Sequence, residues 1–437
     1  MLMGESSRMT KQELAWLTAT EIRSLLAAGE IQSGDVVAAH LERIAGLNPA
    51  LAAYVHVDPL AASGAGLLAG TSVAVKDTQP VTGMPWTHGS PRYSARVADH
   101  DAIAVSRLRR QGAAILGKSN LPELAAAVGT TNPLFPPAHN PWRHGITPGG
   151  SSGGSGAAVA AGLCTFATGD DMGGSIRIPS ACCGVVGLRP SRGLVADEQP
   201  DPTGLSVQGP LARSVADLRL VLAFLAAPQV PPNAASRPLR IGVVRQSSRP
   251  IAPECAAACN RAALALSGLG HELGEVDWDP ETFARAYQVV RPASVASQPG
   301  DPSEYGESAG RLIAAGRRLA LTDYLSALES GLAAGAALRE QLTRWDAILS
   351  PTLGRLPMAI EAVPTFLSAE WSEYTQFVLP VSFAGLPAVS VPAGFADGLP
   401  VGVQLIGGFG QDWALLDLAQ SLEAEDGFGF VRPPDIG

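Results

Sequence analysis

The sequence predicts an α/β fold, a β-sheet covered by helices on both faces. Two observations carry this. Strand-patterned segments alternate with helix-patterned segments from about residue 18 to residue 422, the order expected of an α/β sheet. Hydrophobic residues make up 46% of the 437 residues and charged residues only 16%. That composition supplies a large core, in one big domain or two to three ordinary ones.

Each element has a local reason. Thr18 and Glu21 have capping-box spacing and open a helix with the apolar stripe Ile22, Leu25 and Leu26, closed by Gly29. A second helix starts at Ser33, carries Val36, Val37, His40, Leu41 and Ile44 on one face, and stops before Asn48-Pro49. After the turn at Gly70, Ser72 to Asp77 alternates as a strand: Val73, Val75 and Asp77 on one face, Ala74 and Lys76 on the other. Asp101 to Gln111 is amphipathic and helical. Ala113 to Leu116 is a short buried strand, Leu121 to Val128 a helix, and Asn132 to Pro148 a proline-rich loop.

Small residues from Gly156 to Ala161 suit a tightly packed helix, followed by strands at Leu163 to Thr168 and Cys183 to Leu188. Ser214 and Asp217 open a helix to Leu225, and Pro228 to Pro238 is a connector. Leu239 to Val244, Pro253 to Leu269 and Glu275 to Trp278 read as a βαβ-like unit. Thr282 to Leu342 is mostly helical, broken at Pro292, Pro299 and Pro302. Strands follow at Ala347 to Pro351, Leu386 to Val391 and Val401 to Ile406, and a last helix runs from Asp412 to Leu422. No internal repeat or low-complexity segment occurs.

Charge and cysteine usage narrow the partners. A net charge of −9 disfavours nucleic acid or an anionic membrane. Met1 to Leu17 has no apolar signal region, and the nearly apolar run Ala157 to Thr168 is too short to span a bilayer. Five cysteines, an odd number without a CxxC pair, read as reduced thiols in the cytoplasm. His139 and His144 have no carboxylate or cysteine beside them, so neither a metal nor a cofactor is expected. Only three of the 31 basic residues are lysine: Lys11, Lys76 and Lys118. Each therefore prompts the question of whether arginine would have served.

Two glycine-studded loops carry the candidate chemistry. Thr147 to Gly156 holds Ser151, and Asp170 to Pro179 holds Ser175, 24 residues further on. Glycine lets the backbone turn sharply and approach a ligand, and a serine hydroxyl becomes a nucleophile when a base takes its proton. The turn at Gly173-Gly174-Ser175 aims several backbone N–H groups at one point, which suits an oxyanion. No histidine or carboxylate has triad-like context, but a lysine base is a known variant. Lys76, on an apolar strand, fits that role if desolvation keeps it neutral. Gly112 to Ser119 satisfies the P-loop pattern GxxxxGK[ST], but a helix precedes Gly112 and the intervening residues form a strand. The match is read as chance, with Lys118 packed at a strand end.

With these residues in view, the sequence resembles the amidase signature family. The resemblance is carried by Val73-Ala74-Val75-Lys76-Asp77, Gly117 to Glu123, Pro148 to Ser155 and Asp171 to Pro179. Gly187 to Pro190, Gly209 to Asp217 and Leu399 to Ile406 add to it, so that it runs from about Leu17 to Leu422. It implies one large domain over residues 10–425 around a mixed, mostly parallel sheet, with loose ends at 1–9 and 426–437. It implies that Ser175 is the nucleophile, that Ser151 bridges it to Lys76 through a cis Gly150–Ser151 bond, and that neutral Lys76 is the base. The N–H groups of Met172, Gly173, Gly174 and Ser175 would form the oxyanion hole. Ser152, Asp171 and Arg177 would brace the site. Three departures stand out: Asp170 where the family usually has Ser or Thr, Ile146 where many members have Arg, and a short Val57 to Gly70.

The activity expected is hydrolysis of a small carboxamide to an acid and ammonia or an amine, with a homodimer as the assembly. One alternative is the glutaminase subunit of an aminoacyl-tRNA amidotransferase. That subunit usually carries Met-Asp-Glu-Phe where this chain has Leu121-Pro122-Glu123-Leu124. The other is a non-catalytic binding protein on the same fold. The variable segment 282–375, Trp86 and the loop at Phe135 are expected to wall the substrate pocket. Trp371 and Tyr374 either join them or, at helical spacing, belong to the core.

Overall fold

The structure is a computed structural model that describes residues 9–198, 201–226, 237–366 and 368–434. Its strands are β1 (Tyr54–Val57), β2 (Ser72–Lys76), β3 (Ala114–Ser119), β4 (Phe166–Asp171), β5 (Val186–Arg189) and β6 (Val207–Ala212). Then come β7 (Arg240–Val243), β8 (Glu272–Glu275), β9 (Ala347–Pro351), β10 (Ala388–Ala396) and β11 (Leu399–Gly407). All eleven join one sheet in the order β1-β3-β2-β4-β6-β5-β10-β11-β9-β7-β8.

The α/β class and the mixed sheet are as expected, but the sheet is not mostly parallel. Six of the ten pairings are antiparallel and four are parallel. Alternation reports that a strand exists, not its direction. One antiparallel pair had a readable signal. Asp397-Gly398, with φ 48° and 69°, joins β10 to β11, the Asp-Gly signature of a tight hairpin.

Period-2 alternation holds in the strand that matters most. Val73 and Val75 of β2 enter one core, with Val389, Val391, Val403 and Leu405. Ala74 enters the core on the other face, with Ala157, Ala167, Ile176 and Tyr287. The helix Gly153–Ala160 is buried at every residue, and its glycines admit a neighbouring backbone: a β-carbon on Gly154 would meet Asn120 N at 2.3 Å. That is why this Gly/Ser run is a packed helix and not a linker. All five cysteines are buried and free. No helix among the described residues is long and apolar enough to cross a membrane.

Several local expectations need correction. The helix expected over Leu121 to Val128 is a loop with one 3₁₀ turn, Glu123–Ala125, and left-handed φ at Leu124 (52°) and Ala125 (54°). Tertiary contacts override propensity there: the Glu123 carboxylate accepts from Ser90 Oγ at 2.6 Å and Gly306 N at 3.0 Å. The helix Ser33–Leu51 runs through Pro49, and Asn48 then clamps both polar atoms of the Tyr54 backbone, starting the unforeseen strand β1. Pro292 lies inside the helix Glu281–Val295 rather than breaking it. β6 was also unforeseen, because Gly209-Pro210 reads as a breaker. Of the expected loose segments, residues 1–8, 227–236 and 435–437 lie outside the described residues, while Phe428 is buried in the main core.

The P-loop match dissolves in three dimensions, because Gly117, Lys118 and Ser119 form the second half of β3. Gly117 has φ +152°, and a β-carbon there would come within 2.0 Å of the His56 carbonyl oxygen on β1. Gly117→Ala is therefore expected to destabilise the fold by about 1–3 kcal/mol through overpacking. Urea unfolding reads this directly; an unchanged midpoint would show that β1 yields freely.

Candidate active site

β2 runs parallel to both β3 and β4, so the three strands end on the same side of the sheet. Their last residues are Lys76, Ser119 and Asp171. Ligand sites in α/β sheets lie outside such carboxyl ends. The sequence thus brings Lys76 and the Asp170-Asp171 pair together through strand direction alone. Ser155 Oγ, on the buried glycine-rich helix, lies 2.7 Å from Ser119 Oγ and donates to Thr168 O at 2.8 Å. That tie fixes the start of this helix, and the Ser151 loop before it, against the strand ends.

The Gly150–Ser151 peptide bond is cis. Thr130 Oγ1 donates to Gly149 O at 2.7 Å, and Ser152 N donates to Ser175 O at 3.1 Å, joining the two loops. Lys76 has no exposed side-chain surface, and its Nζ lies 2.7 Å from Ser151 Oγ and 2.7 Å from Asp170 Oδ1. Burial lowers its pKa from the ordinary lysine value, against the opposing pull of Asp170. Thr78 Oγ1 donates to the other Asp170 oxygen at 2.5 Å.

Lys118 is the second buried lysine. It pairs with Asp77 at 2.9 Å and donates to Gln79 O at 2.6 Å. Lys11, the third, is exposed and pairs with Glu42. Both lysines on the strands beside the site are thus internal, each with a carboxylate.

Asp171 organises the turn that carries Ser175. Its Oδ1 accepts from Gly174 N at 2.8 Å and its Oδ2 from Ile176 N at 3.2 Å. Arg177 forks onto the same carboxylate, with Nε 3.0 Å from Oδ2 and the second terminal nitrogen 2.9 Å from Oδ1. Arg189 adds a contact to Oδ1 at 3.3 Å and a bond to the Asp171 carbonyl. Burial alone would raise the Asp171 pKa, but Arg177 and Arg189 overrule it and hold the carboxyl well below its usual range. Arg177 reaches on to Gln404 at 3.2 Å and Ser382 at 3.0 Å.

Of the four backbone N–H groups expected to face an oxyanion, that of Gly174 is committed to Asp171 Oδ1. Ser152 sits at the loop junction, where its Oγ donates to Asp170 O at 3.5 Å.

Ser175 opens onto a cavity of about 210 Å³ whose lining includes Thr78, His88, Asp170, Gln208, Tyr287 and Arg291. None of the four expected pocket residues is in its lining. Trp86 stands one layer behind, with its indole N–H on Thr78 O at 2.8 Å and the Arg96 guanidinium over its ring at 3.9 Å. Trp371 backs Tyr287, the rings stacked at 5.6 Å and 13°. Tyr374 is core, its hydroxyl 3.1 Å from Cys182 Sγ. Phe135 is half-buried in its loop, its N–H on Asn132 Oδ1 at 2.9 Å. A stripe at helical spacing marks whichever face is buried, and here that face points into the core.

Tyr287 and Arg291 lie in the segment 282–375 expected to wall the pocket, though the sequence reading did not single them out; they are four residues apart on the helix Glu281–Val295 and so share a face. That spacing was a usable signal in the variable segment. Arg291 is 6% exposed and donates to Ser294 Oγ at 2.7 Å and Leu124 O at 2.8 Å.

The Amidase family model matches residues 35–416. A glutamyl-tRNA(Gln) amidotransferase subunit of Thermus thermophilus is 34% identical, over 96% of this chain and 99% of the relative. An acylamidase of Rhodococcus erythropolis is 31% identical, over 98% and 99%. The solved structure of 6-aminohexanoate cyclic dimer hydrolase complexed with substrate superposes with a TM-score of 0.84 at 28% identity, covering 94% of this chain and 97% of that one.

Proposed function

The chain belongs to the amidase family, and from that premise we propose that it is a free-standing amidase that hydrolyses a small carboxamide to an acid and ammonia or an amine. The observation that carries this is the contact of the buried Lys76 with Ser151 at 2.7 Å, beside the cavity onto which Ser175 opens.

In this reading Ser175 Oγ attacks the amide carbon while Ser151 takes its proton and passes one to Lys76. The carbonyl oxygen, now negative, lies against the N–H groups of Met172, Gly173 and Ser175. The relay then runs backwards: Ser151 protonates the leaving nitrogen, the C–N bond breaks, and an acyl ester remains on Ser175. Water, activated by the same relay, releases the acid. Asp171 and Arg177 act here by holding the turn rigid. No cofactor takes part.

The cavity supports a small, polar substrate. Its volume is modest, and Asp170, Asp197, Glu198, Asp201, Gln208 and Arg291 give its lining charge and hydrogen-bonding capacity beside the rings of His88 and Tyr287. A hydrolysis screen across aliphatic, aryl, ureido and amino-acid amides tests the proposal, with Lys76→Ala as control. Turnover of at least one amide, lost in the control, is the expected result. Inertness towards all classes would sink it.

The glutaminase-subunit reading is kept because a relative of that kind matches along almost its whole length. It predicts glutamine as the best substrate and a partner that co-purifies. A non-catalytic binding protein is disfavoured, because lysine and both serines are all retained.

A further inference from the structure

Asp170 is the departure that the sequence singled out and the relay above leaves unused. Its carboxylate lies 2.7 Å from Lys76 Nζ, which lies 2.7 Å from Ser151 Oγ, so one line of polar atoms runs from Ser151 through Lys76 to Asp170. Thr78 Oγ1 fixes the far oxygen at 2.5 Å. The Asp170 side chain is 17% exposed and lines the cavity beside Ser175, while that of Lys76 is fully buried.

This arrangement conflicts with a simple lysine base. A carboxylate at hydrogen-bond distance favours the ammonium form of lysine. An ammonium has three donors and no lone pair, so it cannot take a proton from Ser151. With the uncharged hydroxyl usual at this position in the family the conflict does not arise; here the carboxylate creates it, and the same carboxylate has the lone pairs to accept a proton.

We propose that Asp170 is the terminal proton acceptor of the relay, with Lys76 passing a proton on instead of keeping it. The inference rests on the amidase reading and deepens it. As the bond from Ser175 Oγ to the amide carbon forms, the Ser175 proton moves to Ser151 and the Ser151 proton moves to Lys76 Nζ. One Lys76 proton moves to Asp170 Oδ1. Lys76 begins and ends as an ammonium, Asp170 changes from carboxylate to carboxylic acid, and the carbonyl electron pair becomes the oxyanion. On collapse, Asp170 returns its proton along the same line, and Ser151 protonates the departing nitrogen as the C–N bond breaks.

Other charged or titratable groups face the pair from every side. They are Asp171 on the same strand, His88 after β2, Arg291 and Tyr287 from the helix Glu281–Val295, and Asp197, Glu198 and Asp201 before β6. Of these, His88 is held neutral by burial, its pKa lowered to about 3, and Tyr287 is pushed up to about 12.

The test is the pH profile of kcat/KM for the wild type, Asp170→Asn and Asp170→Thr. It is paired with the pH dependence of Ser175 labelling by a fluorophosphonate probe, which needs no substrate. With Asp170 as acceptor, both variants must wait for Lys76 itself to lose a proton. Their acid limbs then move to higher pH by at least one unit, and activity at pH 7 falls at least tenfold and recovers in alkali. If Asp170 merely strengthens the hold of Lys76 on its proton, removing it moves the limb to lower pH and raises activity at pH 7. That result, or an unmoved limb, overturns the proposal. Asp170→Thr carries the residue usual in the family, so it guards against a fold that cannot accept asparagine. A wild type that hydrolyses no amide and is not labelled at Ser175 defeats the amidase reading instead. Labelling at Ser175 with an unmoved limb defeats the Asp170 role alone.

Discussion

Ser175→Ala is expected to lower kcat/KM by about 10³- to 10⁶-fold, the span seen when a nucleophile is removed from a serine relay. Each decade corresponds to about 1.4 kcal/mol of lost transition-state stabilisation. The unfolding midpoint should hardly move, because the half-buried Ser175 side chain faces the cavity rather than the core. Lys76→Ala should cost a comparable factor in rate but also some stability, since it strands Asp170 without its 2.7 Å partner. The proposed relay makes the two residues one unit, so the double variant should be little worse than either single one. Steady-state kinetics on the best amide measure all three. Trapping an acyl ester on Ser175 by mass spectrometry, present in the wild type and missing in Ser175→Ala, identifies the atom that attacks. A Ser175→Ala variant hydrolysing at the wild-type rate would place the nucleophile elsewhere.

The legible part of this site was the part written in short sequence. Val73 to Asp77 alternates, so the strand and the placing of Lys76 on the face of Ala74 could be read from it. The Gly/Ser loops could be read because a linker would not run straight into helix and strand patterns. What escaped depends on residues far apart in the chain. β6 reads locally as a Gly-Pro breaker, yet pairs with both β4 and β5. The Leu121 to Val128 stretch has a helical composition, but Ser90 and Gly306 claim Glu123 and turn the backbone away. The individual wall residues escaped for a related reason, although the segment 282–375 expected to contribute does supply Tyr287 and Arg291. Trp371 and Tyr374 have a buried face whichever way it points, and only the packing of Trp371 behind Tyr287 shows that the cavity lies on the far side. Asp170 was visible as a departure, but its pairing with Lys76 follows from the parallel register of β2 and β4, which no local pattern contains.

Asp171→Ala should have the largest effect on stability, a loss of about 3–5 kcal/mol, the usual cost of removing one partner from a buried ion pair. The side chains of Asp171, Arg177 and Arg189 are all without exposed surface, so the variant leaves two guanidiniums side by side with no carboxylate between them. It also frees the N–H groups of Gly174 and Ile176 that the carboxylate accepts. Asp171→Asn separates the two contributions. It keeps an acceptor of the same shape for Gly174 but removes the charge, so most of the loss should remain. Urea unfolding measures both, and a loss below about 1 kcal/mol for Asp171→Asn would mean that water or Gln404 already satisfies the arginines. The pH dependence has a definite sign. The folded carboxyl titrates well below its unfolded value, so its contribution is complete above about pH 4 and is lost as pH falls through the folded pKa. The asparagine variant should lack that part of the acid loss while remaining less stable at pH 7. In activity, kcat should fall more than KM rises, because Asp171 is buried outside the cavity lining and, in the proposed mechanism, acts by fixing the turn. In the proposed mechanism, rigidity of that turn, imposed by a fully buried ion cluster, would hold the backbone N–H groups of Met172, Gly173 and Ser175 in place for an oxyanion.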